Sequence, residues 1–411
     1  MLAVFTIMMR EWRRILKDSR LRSVVLVAPF VYAALMCAVY INHTVYDLPI
    51  AVVNQDPSAL SRQLVRMLEA SPKINVAHRV DSTKEIESLL FQREIDGAII
   101  IPKGFSKHIK TGHESVVTAY VNAGTMVQAN ALGTSFNKTV QTFSAGVEIK
   151  TLMKKGATKT QAMKAFMPVK LNLQTLFNPT FNYSNFMVPG ILMTILQQVI
   201  LLGLALTWTG EKEAGTLKEL RGISSSPFTL LLGKSIPYIV INLIVAEIYL
   251  RVVFPLNNIP MEGHWGMMIS FTVLFVLTVV TWGTWVSALC KTRLFATQIL
   301  MFVAMPSFIL SGFTWPPSAM PEVIQWISHL LPMTYFVHSF RFIYLADVDF
   351  IYVAQDFLVL AGFLTINLLL GYLIIKRIIR SPDQIREQHS QLTQIKTALS
   401  LFFKKQTKNL S

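Results

Sequence analysis

Residues 22–41, RSVVLVAPFVYAALMCAVYI, form an apolar run long enough to cross the hydrocarbon layer of a membrane, for which roughly 20 residues suffice. A long soluble stretch follows, and five further apolar runs are crowded into the second half of the chain. These five runs cover residues 187–208, 231–254, 267–289, 294–313 and 356–376. The sequence therefore predicts a mainly α-helical membrane protein with six transmembrane helices and a large insert between helices 1 and 2.

The composition supports a membrane protein. Of the 411 residues, 52% are hydrophobic and 15% are charged, which is too apolar for an ordinary soluble domain. A net charge of +15 would suggest nucleic-acid binding in a soluble protein. Here the basic residues lie beside the spans, where the positive-inside rule accounts for them. We therefore expect contact with membrane lipid and no nucleic-acid partner.

The positions of the basic residues predict the orientation. They precede the first span (Arg10, Arg13, Arg14, Lys17, Arg20 and Arg22), follow the last (Lys376, Arg377, Arg380, Arg386, Lys396, Lys404, Lys405 and Lys408), and occupy two connections (Lys212, Lys218, Arg221, Lys291 and Arg293). Residues 255–266 contain no lysine or arginine, and 314–355 contain only Arg341. Six spans place both termini on one side, so we predict that both termini are cytoplasmic and that 42–186 is external.

The two terminal segments are both basic. Residues 1–21 are predicted to form an amphipathic helix in the cytoplasmic headgroup layer, and residues 377–411 a basic cytoplasmic tail. The proposed apolar face consists of Phe5, Met8, Met9, Trp12, Ile15 and Leu16. A plain cytosolic extension of the first span is the alternative. We interpret residues 1–41 as an uncleaved signal anchor, because the apolar run is long and no small-residue cleavage site follows it.

The insert alternates strand and helix signals. Strands are predicted at 50–54, 74–80, 98–101 and 116–121, and helices at 57–69, 83–93 and 105–110. This pattern indicates a small α/β domain with βαβ-like connections. Long helices are predicted within 125–170, and Asn178-Pro179 interrupts the pattern before the second span. Cys37 and Cys290 lie in or beside spans, so no disulfide is expected in this domain.

The chain shows no catalytic machinery and no spacing of metal ligands. Gly233-Lys234-Ser235 is similar to the end of a phosphate-binding loop, but position 228 is Phe where that loop requires glycine. We therefore predict neither an enzyme nor a nucleotide or metal site in this chain.

The connection between the second and third spans is more informative. Residues 211–222 are predicted to form a helix that begins with Glu211 and Glu213, since carboxylates favour the amino-terminal end of a helix. Thr216, Leu217 and Leu220 would give it a small apolar face. The helix is either a lever for a soluble partner or a passive connector, and the residues alone do not separate these two interpretations.

Two charged residues fall inside the third span. Glu247 and Arg251 are four residues apart, the spacing of an ion pair on one helix face. The pair either lines a substrate path or is structural, since charges within spans usually face protein or water. Residues 314–350 are interrupted by prolines, and they are predicted to form external interfacial or re-entrant helices.

Three stretches together resemble the type-two permeases of ATP-binding-cassette (ABC) exporters. They are NPTFNYSNFMVPGI (178–191), EKEAGTLKELRGISSSPFTLLLGKSIPY (211–238) and LSGFTWPPSAMPEVIQWISHLLPMTYFVHSFR (310–341). In the second stretch Glu213, Gly215, Thr216, Gly233 and Lys234 match, and in the third Gly312, Pro316, Met320, Pro321, Pro332, Tyr335 and Arg341 match. The arginine usual in the second stretch is replaced by Gly210 or Lys212.

This resemblance implies a permease that dimerises, or pairs with a paralogue, in a bacterial inner membrane. It implies that separate ATPase subunits bind ATP and magnesium and push the coupling segment, which comprises Glu211, Glu213, Gly215, Thr216, Leu217 and Leu220. A periplasmic adaptor is a further expected partner. The function predicted is ATP-driven export. A proton-coupled secondary transporter, or an anchored sensor that uses the external domain, remains the alternative.

Overall fold

The protein is described from a computed structural model, which covers residues 1–40, 46–124, 126–166, 182–346 and 348–380. The predicted break at Asn178-Pro179, Asp347 and the tail beyond residue 380 lie outside the described residues. The chain divides into two compact units. One is the insert, Asn42–Leu176, and the other contains Met1–Ile41 and Phe177–Ser411.

The amino-terminal part of the chain is helical. Its elements are α1 (Leu2–Lys17), α2 (Ser19–Arg22), a π-helical turn (Ser23–Val27) and α3 (Ala28–Val39). Asp18 separates α1 from α2, because its carboxylate accepts hydrogen bonds from the backbone N–H groups of Arg20 at 3.0 Å and Leu21 at 3.3 Å. This cap begins the first span at Ser19.

The inserted unit is an α/β fold. In chain order its elements are β1 (Leu48–Asn54), α4 (Ala59–Glu69), β2 (Ile74–Arg79), α5 (Thr83–Phe91), β3 (Gly97–Ile101), α6 (Phe105–Lys110), β4 (Thr118–Val121), α7 (Met126–Lys154) and α8 (Lys159–Phe166). The strand order is β2-β1-β3-β4, with β1 parallel to β2 and β3, and β4 antiparallel to β3. The observed elements follow the predicted alternation of strands and helices.

Each face of this sheet is covered by its own apolar cluster. Ile50 and Val52 of β1 pack with Leu64 of α4 and Phe136 of α7 on one face. Ala51 and Val53 of β1 pack with Ile86 of α5 on the other. A parallel strand that is buried on both faces explains the continuous apolar run IAVV.

The remaining helices build the membrane unit together with α1–α3. They are α9 (Tyr183–Ala205), α10 (Thr207–Ala214), α11 (Leu217–Ile223), α12 (Pro227–Ile248), α13 (Phe254–Leu256), α14 (Trp265–Leu289), α15 (Arg293–Leu310), α16 (Glu322–His329), α17 (Pro332–Leu345) and α18 (Phe350–Arg380). A π-helical turn, Tyr249–Val253, joins α12 to α13. A 3₁₀ turn, Pro317–Ala319, precedes α16.

The prediction of a mainly helical protein with six spans is confirmed. Six helical segments of the described chain are long and apolar enough to cross a membrane: Ser19–Val39, Tyr183–Ala214, Pro227–Leu256, Trp265–Leu289, Arg293–Leu310 and Phe350–Ile379. The predicted fifth span, 294–313, extends too far, because α15 ends at Leu310 and Gly312 has a φ of +82°. The sixth begins before the predicted residue 356, since the polar residues around Asp356 do not interrupt α18.

Gly190 marks the tightest contact between α9 and the segment that follows α15. A Cβ atom at this position would lie 2.2 Å from the Phe313 ring, so Gly190→Ala is expected to lower the free energy of unfolding by about 1–3 kcal/mol through overpacking. Thermal unfolding of the purified protein in detergent measures the change. Gly362→Ala in α18 is the matched control, because nothing lies within 4 Å of its added Cβ. Equal unfolding temperatures for the two variants would contradict this packing.

Candidate functional site

The connection between the second and third spans contains a sharp bend. Helix α10 ends at Ala214, Gly215 follows with a φ of +70°, and α11 begins at Leu217. Glu211 and Glu213 therefore lie in the last turn of α10, and the prediction that they begin a helix is wrong. A glycine with a positive φ directly after a helix commonly ends that helix. Here Gly215 decides where α10 ends, in spite of the preference of carboxylates for the start of a helix.

The Glu211 carboxylate is buried and surrounded by cations. It is 3.0 Å from Nη1 of Arg14, 3.1 Å from Nη2 of Arg10 and 3.2 Å from Nζ of Lys234. The hydroxyl of Thr216 also donates to it, across the bend. Glu211 therefore connects α1, α10 and α12 at a single point.

A second carboxylate completes this arrangement from the amino-terminal helix. Lys234 is fully buried, and its Nζ lies 2.6 Å from Oε2 of Glu11. The hydroxyl of Tyr238 donates to Oε1 of Glu11 at 3.1 Å. The ammonium group of Lys234 also lies 5.6 Å from the centre of the Trp208 ring. We call the six residues Arg10, Glu11, Arg14, Glu211, Glu219 and Lys234 the charge cluster.

The charge cluster holds three cations and three carboxylates, so its charges balance. Balance matters because an unpaired buried charge costs several kcal/mol, whereas a paired one is tolerated when its hydrogen bonds are satisfied. Arg14 also donates to the carbonyl oxygens of Leu206 and Thr207, both at 3.0 Å, where α9 gives way to α10. The cluster thus fixes α1 against the end of α9 and against α12.

Gly210 explains one departure from the resemblance. A Cβ atom here would lie 1.7 Å from Nη2 of Arg14. The arginine usual in this segment therefore has no room at position 210, and the guanidinium of Arg14 from α1 occupies that space instead.

Arg10 reaches across the bend between α10 and α11. Its Nη2 donates to Oε2 of Glu211 and to Oε2 of Glu219, each at 3.1 Å. The Glu219 side chain is 69% exposed, and that of Arg10 is 27% exposed. The contact therefore links the buried cluster to the surface of α11.

The last turn of α10 is also tied to the connection between α14 and α15. Nζ of Lys212 donates to the carbonyl oxygens of Ala288 and Cys290, the latter at 2.8 Å, where a cation suits the end of a helix. Burial raises the pKa of the Cys290 thiol, and the Lys212 ammonium opposes this rise. Glu213 forms an ion pair with Arg293 at 3.0 Å and accepts the Arg293 backbone N–H at 2.7 Å.

The apolar face of α11 packs against this chain. Leu217 and Leu220 are buried in one cluster with Ile7 and Trp208, so this face holds α11 against its own chain, and the role of the helix as a lever stays a prediction. An apolar stripe does not by itself reveal whether its own chain already covers it. Lys218 and Glu219 form the exposed side of α11.

The amino-terminal helix packs on the rest of the chain by a stripe that its prediction did not name. This stripe contains Ile7, Glu11 and Ile15, whereas Phe5 and Leu16 of the predicted apolar face are more than half exposed. The position of α1 in the headgroup layer stays a prediction, but its charged side is not wholly on the surface. Part of that side packs inside the protein, because acidic partners on α10 and α11 and a basic partner on α12 are available there.

Glu247 and Arg251 form the predicted ion pair. Their side chains are 41% and 55% exposed, and the Arg251 guanidinium lies 4.9 Å from the centre of the Trp265 ring. Within one chain this pair lies on the surface of the membrane unit, near the end of the helix α12 that carries Lys234 of the charge cluster. The structure therefore shows the ion pair itself, and a role of this pair in a substrate path stays a prediction.

The proline-rich hairpin (residues 312–345) is helical, as predicted. Pro321 precedes α16, and Pro332 occupies the first position of α17, where no N–H is needed. Gly312 and Pro316 lie in the turn after α15, and the hydroxyl of Tyr335 donates to the carbonyl oxygen of His329 at 3.1 Å. These residues shape the hairpin.

Arg341 attaches the hairpin to α9. Its Nη2 donates to the Phe313 carbonyl oxygen at 2.6 Å, and its guanidinium lies 4.2 Å and 4.8 Å from the centres of the Phe313 and Phe186 rings. Lysine keeps the charge but has no planar group to stack between rings.

Arg341→Lys is therefore expected to cost about 1–2 kcal/mol of local stability in the hairpin. Faster hydrogen exchange in peptides from residues 313–345 would show it. Arg251→Lys is the control, because the Arg251 side chain is more exposed and its contact with the Trp265 ring contributes less to stability. Equal rates of hydrogen exchange in residues 313–345 of the two variants would contradict this attachment.

Sequence reasoning missed the charge cluster. The sequence singled out Lys234 in a loop-like triad and in the resemblance, and Arg14 among the basic residues before the first span, whereas nothing singled out Glu11. The usable signal was a lysine inside an apolar span, which requires a buried counter-ion.

Comparison with known proteins decides the family. A family model described as "ABC-2 family transporter protein" matches residues 20–373, which is most of the chain. The chain belongs to the ABC-2 transporter family. The match includes the inserted unit, the bend at Gly215 and the proline-rich hairpin, and it confirms the resemblance.

Two of the relatives to which this ABC-2 transporter is similar are named as permeases. The chain is 23% identical over 340 residues to the "Probable multidrug ABC transporter permease YbhS" of Escherichia coli K12, covering 82% of this chain and 87% of the relative. It is 24% identical over 378 residues to the "Inner membrane transport permease YhhJ" of the same organism, covering 89% and 96%. It is 22% identical to "ABC transporter G family member 20" of Dictyostelium discoideum, covering 84% of this chain and 46% of that protein. The chain is thus a multi-pass ABC permease, a family that works with ATPase subunits.

Proposed function

We propose that this protein is the permease subunit of an ATP-driven exporter in a bacterial inner membrane, and that separate ATPase subunits drive it through the charge cluster. The observation that carries the proposal is the contact of Arg10 with Glu211 and Glu219, which joins α1, α10 and α11. A push on α11 then reaches α12 through Glu211 and Lys234. Packed helices hold discrete arrangements, so such a push shifts the spans between two states.

The exposed surface beside the charge cluster supports docking of a soluble partner. A groove of about 460 Å³ lies between α1 and the end of α11 and is lined by Phe5, Thr6, Met9, Arg10, Arg13 and Ile223. It combines apolar and guanidinium groups, the two kinds of group that dominate binding energy at protein interfaces. The ATPase is expected here, with Lys218 and Glu219 at the rim. ATP and magnesium belong to that partner, and the permease binds no cofactor.

The charge distribution supports the orientation. The basic residues around α1, α10 and α11 support a cytoplasmic position for this surface and both termini, with the inserted α/β unit outside. The exporter has two permease chains, identical or paralogous, and the inserted unit transfers substrate to a periplasmic adaptor. The substrate class that fits an apolar membrane unit is a drug-like amphiphile, and the name of one relative includes "multidrug".

The test is transport in inverted membrane vesicles that contain the permease and the ATPase encoded beside it. A fluorescent amphiphilic drug is expected to accumulate only when ATP is present, and an ATPase that lacks its catalytic carboxylate is expected to abolish accumulation. Transport that survives this ATPase variant and stops with a proton ionophore would establish the secondary transporter. Ligand binding without any transport would favour the sensor.

A further inference from the structure

A crevice on the inserted α/β unit is lined by three arginines. It has a volume of about 310 Å³ and lies between α4 and the carboxyl ends of β1 and β2. Its polar lining consists of Asn54, Arg62, Arg66, Glu69, Arg79 and Asp81. Because β1 and β2 are parallel, their carboxyl ends meet at one edge of the sheet. Open α/β sheets bind ligands at this edge, most often where the strand order reverses, which here is between β1 and β3.

The crevice has more guanidinium groups than it can pair internally. Arg79 forms an ion pair with Glu69. Arg62 donates to the carbonyl oxygen of Pro57 at 2.6 Å. Within the described ranges, neither Arg62 nor Arg66 forms an ion pair. Positive charges four residues apart on a helix repel each other, so this pair weakens α4 unless an anion lies between them.

We propose that this crevice binds a phosphate group carried by a small molecule or by a lipid headgroup. The planar fork of arginine matches phosphate oxygens in bidentate contacts, which lysine does not reproduce. The volume lies at the lower end for small-molecule sites and suits one phosphorylated headgroup or sugar. The carboxylate of Asp81 at the rim accepts hydrogen bonds from hydroxyl groups of the carrier. This site depends neither on the ATPase nor on the direction of transport.

The experiment is isothermal titration of the full-length protein in an uncharged detergent without phosphate. The probes are inorganic phosphate, glycerol 3-phosphate and dioctanoyl phosphatidylglycerol, with dioctanoylglycerol as the probe that lacks phosphate. Saturable binding is expected for at least one phosphate probe. The double variant Arg62→Gln with Arg66→Gln is expected to weaken it by at least about tenfold.

The matched control is Lys107→Gln with Lys110→Gln, which removes the same charge from exposed positions of α6 in the same unit. Affinity is expected to stay within about twofold of the unchanged protein. Arg66→Lys keeps the charge and is expected to bind more weakly than arginine, which separates bidentate contact from plain attraction. Circular dichroism checks that each variant is folded.

The probes also distinguish the source of the phosphate. Binding of glycerol 3-phosphate supports a soluble phosphorylated compound, and binding of phosphatidylglycerol alone supports a lipid headgroup. The proposal is overturned by the absence of saturable binding for all three phosphate probes, or by an equal loss in the lysine control. It is also overturned if a hexaglutamate peptide binds and no phosphate probe does, since the crevice would then recognise an acidic protein.

Discussion

Replacing Lys234 by methionine is expected to lower the free energy of unfolding by about 3 kcal/mol or more. Methionine fills a similar volume but leaves the Glu11 carboxylate buried without its cation at 2.6 Å, and Glu211 without one of its three. Removing one partner of a buried ion pair costs far more than the pair contributes, because the remaining charge keeps its desolvation penalty. Unfolding of the purified permease in detergent measures the loss.

A second substitution separates this cause from simple loss of packing. Adding Glu11→Gln to Lys234→Met removes the stranded charge, so the double variant is expected to recover about half of the lost stability. Lys218→Met, on the exposed side of α11, is the control and is expected to change the free energy of unfolding by less than about 0.5 kcal/mol. A double variant that is less stable than Lys234→Met would contradict a balanced charge cluster.

Replacing Arg10 by glutamine is expected to reduce ATP-driven transport by about tenfold or more. Without Arg10 the buried Glu211 keeps Arg14 and Lys234, so no buried carboxylate is left unpaired, yet the two hydrogen bonds by which Arg10 links α10 to α11 are lost. A charged hydrogen bond contributes about 1.5–3 kcal/mol, and a change of 1.4 kcal/mol alters a rate tenfold. Drug accumulation in inverted vesicles gives the rate.

Lys17→Gln provides the matched control for this variant. It removes the same charge from the last turn of α1, at an exposed position outside the charge cluster. Transport by Lys17→Gln is expected to stay within about twofold of the unchanged protein. If both variants lose transport equally, then general positive charge near the membrane is responsible and the link across the bend is not.

The spans and the inserted sheet were predictable from sequence because their signals are local. Twenty apolar residues in a row determine a span whatever surrounds them. The run IAVV at 50–53 indicated a strand buried on both faces, and the observed β1 has helices on both sides. The bend at Gly215 could also be predicted from sequence, because a glycine directly after a polar helix is a strong signal for the end of that helix.

The charge cluster was not predictable because its partners are distant in sequence. Glu11 and Lys234 are 223 residues apart, so the lysine in the span indicates a buried counter-ion but not which residue supplies it. The same limit holds for Leu217 and Leu220, whose apolar face is covered by α1 of the same chain. A local pattern shows that a side chain will be buried, but not what will bury it.

The most direct test of the account is lysine cross-linking, read by mass spectrometry, in the purified complex of permease and ATPase. Docking at the groove between α1 and α11 predicts that Lys218 becomes linked to the ATPase, and that Lys107 and Lys110 of the inserted unit do not. Links to the ATPase from Lys107 or Lys110, with none from Lys218, would show that the nucleotide-driven partner binds elsewhere and on the opposite side of the membrane.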